Sequence, residues 1–203
     1  MNHLAHVFLA GTRPDAQLGG LLGDFWHGAP DPDWSPALRA GVLLHRKIDV
    51  YTDSHPLVAG ARGLFVAPLR RYAGILLDVY FDHVLARTWP RFSDEPLAQL
   101  SARILALVAA NAAILPSDLN RFAQYMRSHG LFASYAQRAT IEQVLGGISR
   151  RLRRANPLAE AGPTLWQHDA ELRVVFEKFF AELEVYAREQ RAKLDLDSEM
   201  QVT

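Results

Sequence analysis

The feature that most constrains this chain is its punctuation. Prolines at 14, 30, 32, 36, 56, 68, 90, 96, 116, 157 and 163 divide it into helix-sized pieces, because an interior proline removes a helical hydrogen bond and clashes with the preceding turn. Between them apolar residues recur at three- and four-residue intervals, and strand-like alternation is nearly absent. The pattern predicts helices at about 2–10, 16–27, 36–51, 56–66, 69–89, 96–113, 117–128, 133–149 and 164–193. Ser35 before Pro36, and Ser117 with Asp118 after Pro116, are expected to cap two of these starts. The last helix gathers Leu172, Val175, Phe176, Phe179, Phe180, Leu183 and Tyr186 on one face and should brace the others. With no repeat, linker or compositional seam, residues 1–194 are expected to form a single-domain, all-α helical bundle, and the acidic segment 195–203 to fray.

Composition narrows the chemistry. The chain has 203 residues, enough for one well-buried core, and its net charge is zero, so no partnership with nucleic acid or a membrane surface is expected. It has no cysteine; any metal must therefore sit on imidazoles and carboxylates. The start, MNHLAHVFLAG, lacks a basic region and carries a histidine in its apolar run, unlike a signal peptide. No apolar stretch approaches the roughly 20 residues needed to cross a bilayer, and a cytoplasmic location is expected. Arginine outnumbers lysine 19 to 3; its planar fork suits carboxylates and phosphates, although a G+C-rich coding sequence gives the same bias.

Ionisable residues are unevenly spread. Six of the eight histidines lie in residues 1–83, with eight aspartates and no glutamate. Glutamate is the better helix former, so short aspartates there suit fixed contacts such as metal ligation. In HRKID, His45 and Asp49 share one helix face, and Asp53 follows on about the same side; in LDVYFDH, Asp78 and Asp82 do the same, with His83 a quarter turn away. Val42, Leu43, Leu44 and Ile48 flank the first pair, and Ile75, Leu76, Leu77, Val79 and Phe81 the second. A carboxylate buried among such residues needs a partner. Taken singly, such a pair is more often a surface contact and His6 a satisfied core histidine. Together they indicate a divalent metal site of hard, oxygen-rich character, suited to Mn²⁺, Fe²⁺ or Mg²⁺.

The blocks NHLAH (2–6), LGGLLGDFWHG (18–28), HRKIDVYTD (45–53) and LDVYFDHVLARTW (77–89), in this order and spacing, closely resemble the acyl carrier protein phosphodiesterases. The likeness weakens after about residue 115, though ISRRLRRANP (148–157) is similar to a basic segment of that family. The family in turn resembles the HD-domain metallophosphohydrolases, whose motif is a His, a His–Asp doublet and a later Asp. By that resemblance His6 stands for the first His, Asp24 for the doublet Asp and Asp78 for the late Asp, with Gly23 where the doublet His belongs. His45 or His83 is left to fill that position, or an extra water does. The resemblance implies an HD-domain-like architecture and a Mn²⁺-dependent hydrolysis, with Mg²⁺ or Fe²⁺ as alternatives. The reaction would release 4′-phosphopantetheine from the serine of holo-acyl carrier protein. His6, Asp24, His45 and Asp78 would hold the metal; Asp49 or Asp82 would orient water or a ligand histidine. His83 would serve as general acid, and Lys47 or Arg46 would neutralise phosphoryl charge.

Carrier proteins are acidic, so a neutral enzyme needs a local basic patch. Arg150, Arg151, Arg153 and Arg154 form one candidate and Arg70 with Arg71 another, against the plainer reading of a solvated helix end. Two other readings remain: a phosphohydrolase acting on a nucleotide or small phosphoester, although no G-x-x-x-x-G-K-[ST] loop is present, and a non-catalytic helical module that binds acyl carrier protein. Oligomeric state is not legible in the sequence.

Overall fold

The computed structural model describes residues 2–200, with side chains to 195. Ten α-helices follow in chain order: α1 His3–Leu9, α2 Pro14–Leu22, α3 Pro36–Ser54, α4 Pro56–Arg62, α5 Ala73–Arg87, α6 Leu97–Ala110, α7 Ser117–His129, α8 Arg138–Arg151, α9 Gly162–Gln167 and α10 Asp169–Met200. Short 3₁₀ turns at Leu69–Tyr72, Trp89–Arg91, Ser134–Ala136 and Leu158–Glu160 join them, and no strand occurs among the described residues. The all-α expectation holds. Nor is any described helix long and apolar enough to cross a membrane. The fraying expected from 195 concerns residues whose side chains beyond 195, and whose backbone beyond 200, lie outside the described set.

Proline does mark helix starts: Pro14, Pro36 and Pro56 each open a helix, where the missing N–H has no intrahelical partner to lose. Ser35 caps α3 by accepting the Leu38 N–H. The expected capping by Ser117 and Asp118 is not formed: Pro116 occupies the cap of α7, while Asp118 pairs with Arg121 one turn on. The single long helix expected at 164–193 is two, broken at His168. There the imidazole meets Glu171 Oε2 at 3.0 Å at the start of α10, a local contact that favours a fresh helix start. The expected helix at 16–27 ends at Leu22, which leaves Asp24 in the loop that follows.

Helix α5 is buried nearly all round, including Leu76, Leu77, Tyr80, Phe81, Asp82, His83 and Leu85, and forms the centre of the bundle. Helix α3 is one-sided instead, with Val42 and Ile48 inside but Leu43 and Val50 facing solvent. Helices α2 and α3 touch backbone to backbone. A Cβ on Gly19 would lie 2.3 Å from the Leu38 carbonyl oxygen, and one on Gly41 2.3 Å from that of Ala16. Only glycine at both positions allows that approach, which brings the end of α2 onto the His45 turn of α3. Helix α10 packs along α3 and braces α4 and α5 through buried Phe176, Phe179, Phe180 and Leu183. Each such side chain contributes about 1.5–3 kcal/mol, more than exposed pairs such as Arg91–Glu177.

Candidate metal centre and its surroundings

Three elements meet at the histidines. His6, on the inner face of α1, and His45, on α3, are both buried, and their rings stack with centroids 3.7 Å apart. Asp49, one turn beyond His45, reaches both: its Oδ1 lies 3.1 Å from His6 Nε2 and its Oδ2 3.1 Å from His45 Nε2. Asp24 approaches from the end of α2, 3.7 Å from His45 Nε2 through one oxygen and 2.8 Å from His3 Nδ1 through the other. The imidazoles form a floor, whereas the carboxylates stay open: the Asp24 and Asp49 side chains keep 35% and 42% of their surface. A ligand could therefore reach the group from the carboxylate side.

Gly23 explains how His45 gets there. A Cβ at position 23 would lie 2.2 Å from His45 Cγ and 2.5 Å from its Cδ2, closer than atoms can approach. The His45 ring thus occupies the space a side chain at 23 would need, directly beside Asp24. Its Nδ1 lies 2.8 Å from the Gly20 carbonyl oxygen, an acceptor, so Nδ1 carries the proton and donates it. Nε2 is then left to face two carboxylates, which requires a cation there, either a proton or a metal ion.

The titration behaviour reports the same arrangement. Burial would lower the His45 pKa, but its hydrogen bond with Asp49 and the Asp24 charge raise it. His6 is lowered to about 4, by burial first and then by His45, so it stays neutral and able to ligate. Burial would raise both carboxylates, yet the His45 and His6 imidazoles hold Asp49 well below its ordinary range, and His3, followed by His45, does so for Asp24.

His6, His45 and Asp49 could together hold a metal ion, since one ligand atom from each lies within 4.8 Å of the others. Neighbouring ligands of an octahedral ion at roughly 2.1 Å lie about 3 Å apart, close to the 3.1 Å separations at Asp49. His6 Nε2, despite that distance, has no hydrogen-bond geometry to any acceptor, and Nδ1 has no partner either. It is Nε2, buried, without a hydrogen bond and facing the Asp49 carboxylate, that fits a ligand role. Asp78 is half-buried on α5 and is not part of the His6–His45–Asp49 group; burial raises its pKa, and the Asp49 and Asp53 charges add to that.

The other sequence candidates are placed elsewhere. Asp82, fully buried, accepts the backbone N–H groups of Leu4 at 2.8 Å and Ala5 at 3.0 Å, which anchors the first turn of α1. His83 Nδ1 meets the Tyr135 carbonyl oxygen at 2.7 Å and its ring packs on Trp166; burial, then Arg87 and Arg138, lower its pKa against the raising effect of that carbonyl. Arg46 donates to the Trp26 carbonyl at 3.1 Å and so steadies the loop carrying Asp24, while Lys47 is exposed. Arg70 and Arg71 project from the turn at Leu69–Tyr72, with Arg71 over the Tyr72 ring. Arg153 and Arg154 lie on the exposed stretch after α8.

Arg150 and Arg151 line a cavity of about 620 Å³ together with His3, Asp24, Phe25 and Phe122. His3, not singled out among the sequence candidates, lines this cavity beside Asp24, its ring 4.4 Å from that of Phe122. The NHLAH block held the signal, because His3 and His6 sit three apart on one helix face.

A family model described as acyl carrier protein phosphodiesterase matches residues 1–183. Curated relatives bearing that name include one from Yersinia enterocolitica, 33% identical over 192 residues, which covers 94% of this chain and 100% of the relative. One from Escherichia coli O157:H7 is 36% identical over 184 residues, 89% of this chain and 94% of the relative. One from Photorhabdus laumondii is 34% identical over 183 residues, 89% of this chain and 91% of the relative. No solved structure matches the chain. With a model match over nearly the whole length and relatives of this identity and coverage, the chain belongs to the acyl carrier protein phosphodiesterase family.

Proposed function

We propose that this protein is a cytoplasmic metal-dependent phosphodiesterase that releases 4′-phosphopantetheine from the serine of holo-acyl carrier protein, leaving the apo form. The observation that carries the metal-dependent part is the His6–His45–Asp49 group, two buried imidazoles facing an open carboxylate; the substrate follows from the name its relatives bear.

In this reading His6, His45 and Asp49 hold the ion, Asp24 completes the set from the α2 side and Asp78 supports it from α5. Mn²⁺ is the proposed ion, with Mg²⁺ or Fe²⁺ as alternatives, since imidazole and carboxylate without thiolate suits them. A divalent ion there supplies positive charge to phosphoryl oxygens and makes water more acidic. The remaining roles fall to the protein. The Gly20 carbonyl fixes the His45 tautomer, as the partners of ligand histidines generally do. Asp82 holds α1, and hence His3 and His6, through the Leu4 and Ala5 amides. His3, beside Asp24 and facing the cavity, is placed to give the departing serine oxygen its proton. In this reading His3 takes the role in place of His83, whose Nδ1 meets the Tyr135 carbonyl.

Intact-mass measurement of holo-carrier protein incubated with the enzyme tests this reading. Loss of one phosphopantetheine mass with Mn²⁺, and none after chelation, is expected. Release that persists undiminished in chelator would remove the metal from the reaction, and no release under any condition would remove the activity.

A further inference from the structure

A wide cavity opens beside Asp24 of the candidate metal centre. It measures about 620 Å³, against about 280 and 260 Å³ for two others near Arg191. Its walls are one face of α7, carrying Phe122 and Tyr125, and the last two turns of α8, carrying Val144, Gly147 and Ile148. His3 and Asp24 also line it. Its size is that of a cleft for a small organic ligand, and its lining is divided between apolar or aromatic side chains and the charged Asp118, Arg121, Arg150 and Arg151.

Two features indicate that something enters it. Gly147 lies inside α8, where glycine is a poor helix former, yet packing does not demand it. A Cβ there would meet only the tip of Arg150, 3.9 Å away. Unlike Gly19, Gly23 and Gly41, whose Cβ positions are blocked at 2.2–2.3 Å, this glycine keeps the cleft wall clear without being forced to by the fold. Arg150 and Arg151 also line the space, and neither has an ion-pair partner among the described residues.

We infer that the α7–α8 cleft receives the phosphopantetheine arm of the substrate, so that the enzyme reads the prosthetic group as well as the carrier protein. The inference rests on the proposed activity and adds a subsite to it. A phosphodiester at the metal centre has two ester limbs. The one bearing the neutral arm, with its geminal methyl groups and amides, suits the aromatic and aliphatic walls beside Asp24, while the carrier protein stays outside. Arg150 and Arg151 supply positive charge for the phosphoryl end of that arm.

The test is calorimetric titration of free 4′-phosphopantetheine into Mn²⁺-loaded wild type and Gly147→Leu, with holo-carrier protein turnover measured on the same preparations. Gly147→Leu should fold with unchanged or higher Tm, since leucine is the better helix former. It should bind the free arm at least about tenfold more weakly and raise KM for holo-carrier protein by a similar factor. Gly147→Ala, which adds only a methyl group, should fold and fall in between. Equal affinity in wild type and both variants overturns the cleft assignment. Wild type that binds the arm in a Gly147-sensitive way but leaves holo-carrier protein intact keeps the cleft and sinks the hydrolase reading instead.

Discussion

Helix α1 lies between two acidic regions that differ in what faces the carboxylate. On one side Asp49 meets the His6 side chain and His45; on the other Asp82 meets the backbone amides of the same helix. The first carboxylate is half open and held strongly ionised by two imidazoles. Burial pushes the second up to about 7, against the lowering effect of the Leu4 and Ala5 N–H groups. The same residue type is thus a candidate ligand in one place and a structural anchor in the other. What separates them is access to cations and solvent, not helical spacing, which is i, i+4 for His45–Asp49 and Asp78–Asp82 alike.

Four substitutions would sharpen or break that contrast. The largest effect is expected at Gly23→Ala. The added Cβ must displace the His45 ring, which should weaken Mn²⁺ binding and turnover by roughly a hundredfold, while circular dichroism stays helical. Activity close to wild type would mean that the His45 position is immaterial.

The next concerns Asp82 and is a matter of stability. The folded state keeps the Asp82 proton up to about 7, while the unfolded chain releases it near 3.9. This contribution to stability is therefore complete below about 4 and is lost as the pH rises through about 7. In metal-free protein, Asp82→Asn should flatten that dependence in denaturant titrations at a series of pH values. It should also cost about 1–2 kcal/mol, since the amide cannot accept both N–H groups equally well. A wild-type curve with the opposite slope would show Asp82 to be ionised in the fold.

The smallest effect is expected at His83→Gln, which keeps a donor for the Tyr135 carbonyl. Steady-state turnover should remain within about threefold of wild type, whereas His3→Gln should lower kcat by roughly a hundredfold. The reverse order would return the acid role to His83.

Much of this was legible in the chain. Proline placement located most helix starts, and the first three N-terminal blocks carry the residues that meet at the candidate metal centre. The cluster itself was less legible, because convergence depends on helix crossings that no local pattern encodes. Asp24 lies next to Gly23 in sequence, but that His45 fills the gap follows from the close approach of α2 and α3 at Gly19 and Gly41 and is seen only in the distances at Gly23. The wealth of aspartate also carried a mixed signal. Asp24 and Asp49 meet the imidazoles, but Asp15 accepts the Ser35 hydroxyl, Asp31 the Asp33 amide and Asp53 the Arg62 guanidinium, which are turn and surface duties. Buried Asp82 and His83 match ligands in residue type and apolar setting, and differ in that no group of three potential ligand atoms gathers around them among the described residues. The α7–α8 cleft was invisible, since its wall is marked by what Gly147 lacks.

Equilibrium binding of Mn²⁺ to the metal-free protein, followed by the loss of the free-ion electron paramagnetic resonance signal, bears most directly on the centre. Wild type should take up the ion stoichiometrically, and Asp49→Ala and His45→Ala should each lose at least about a hundredfold in affinity while staying folded. Uptake equal in all three proteins, or none in wild type, would mean that these imidazoles and carboxylates do not share a cation.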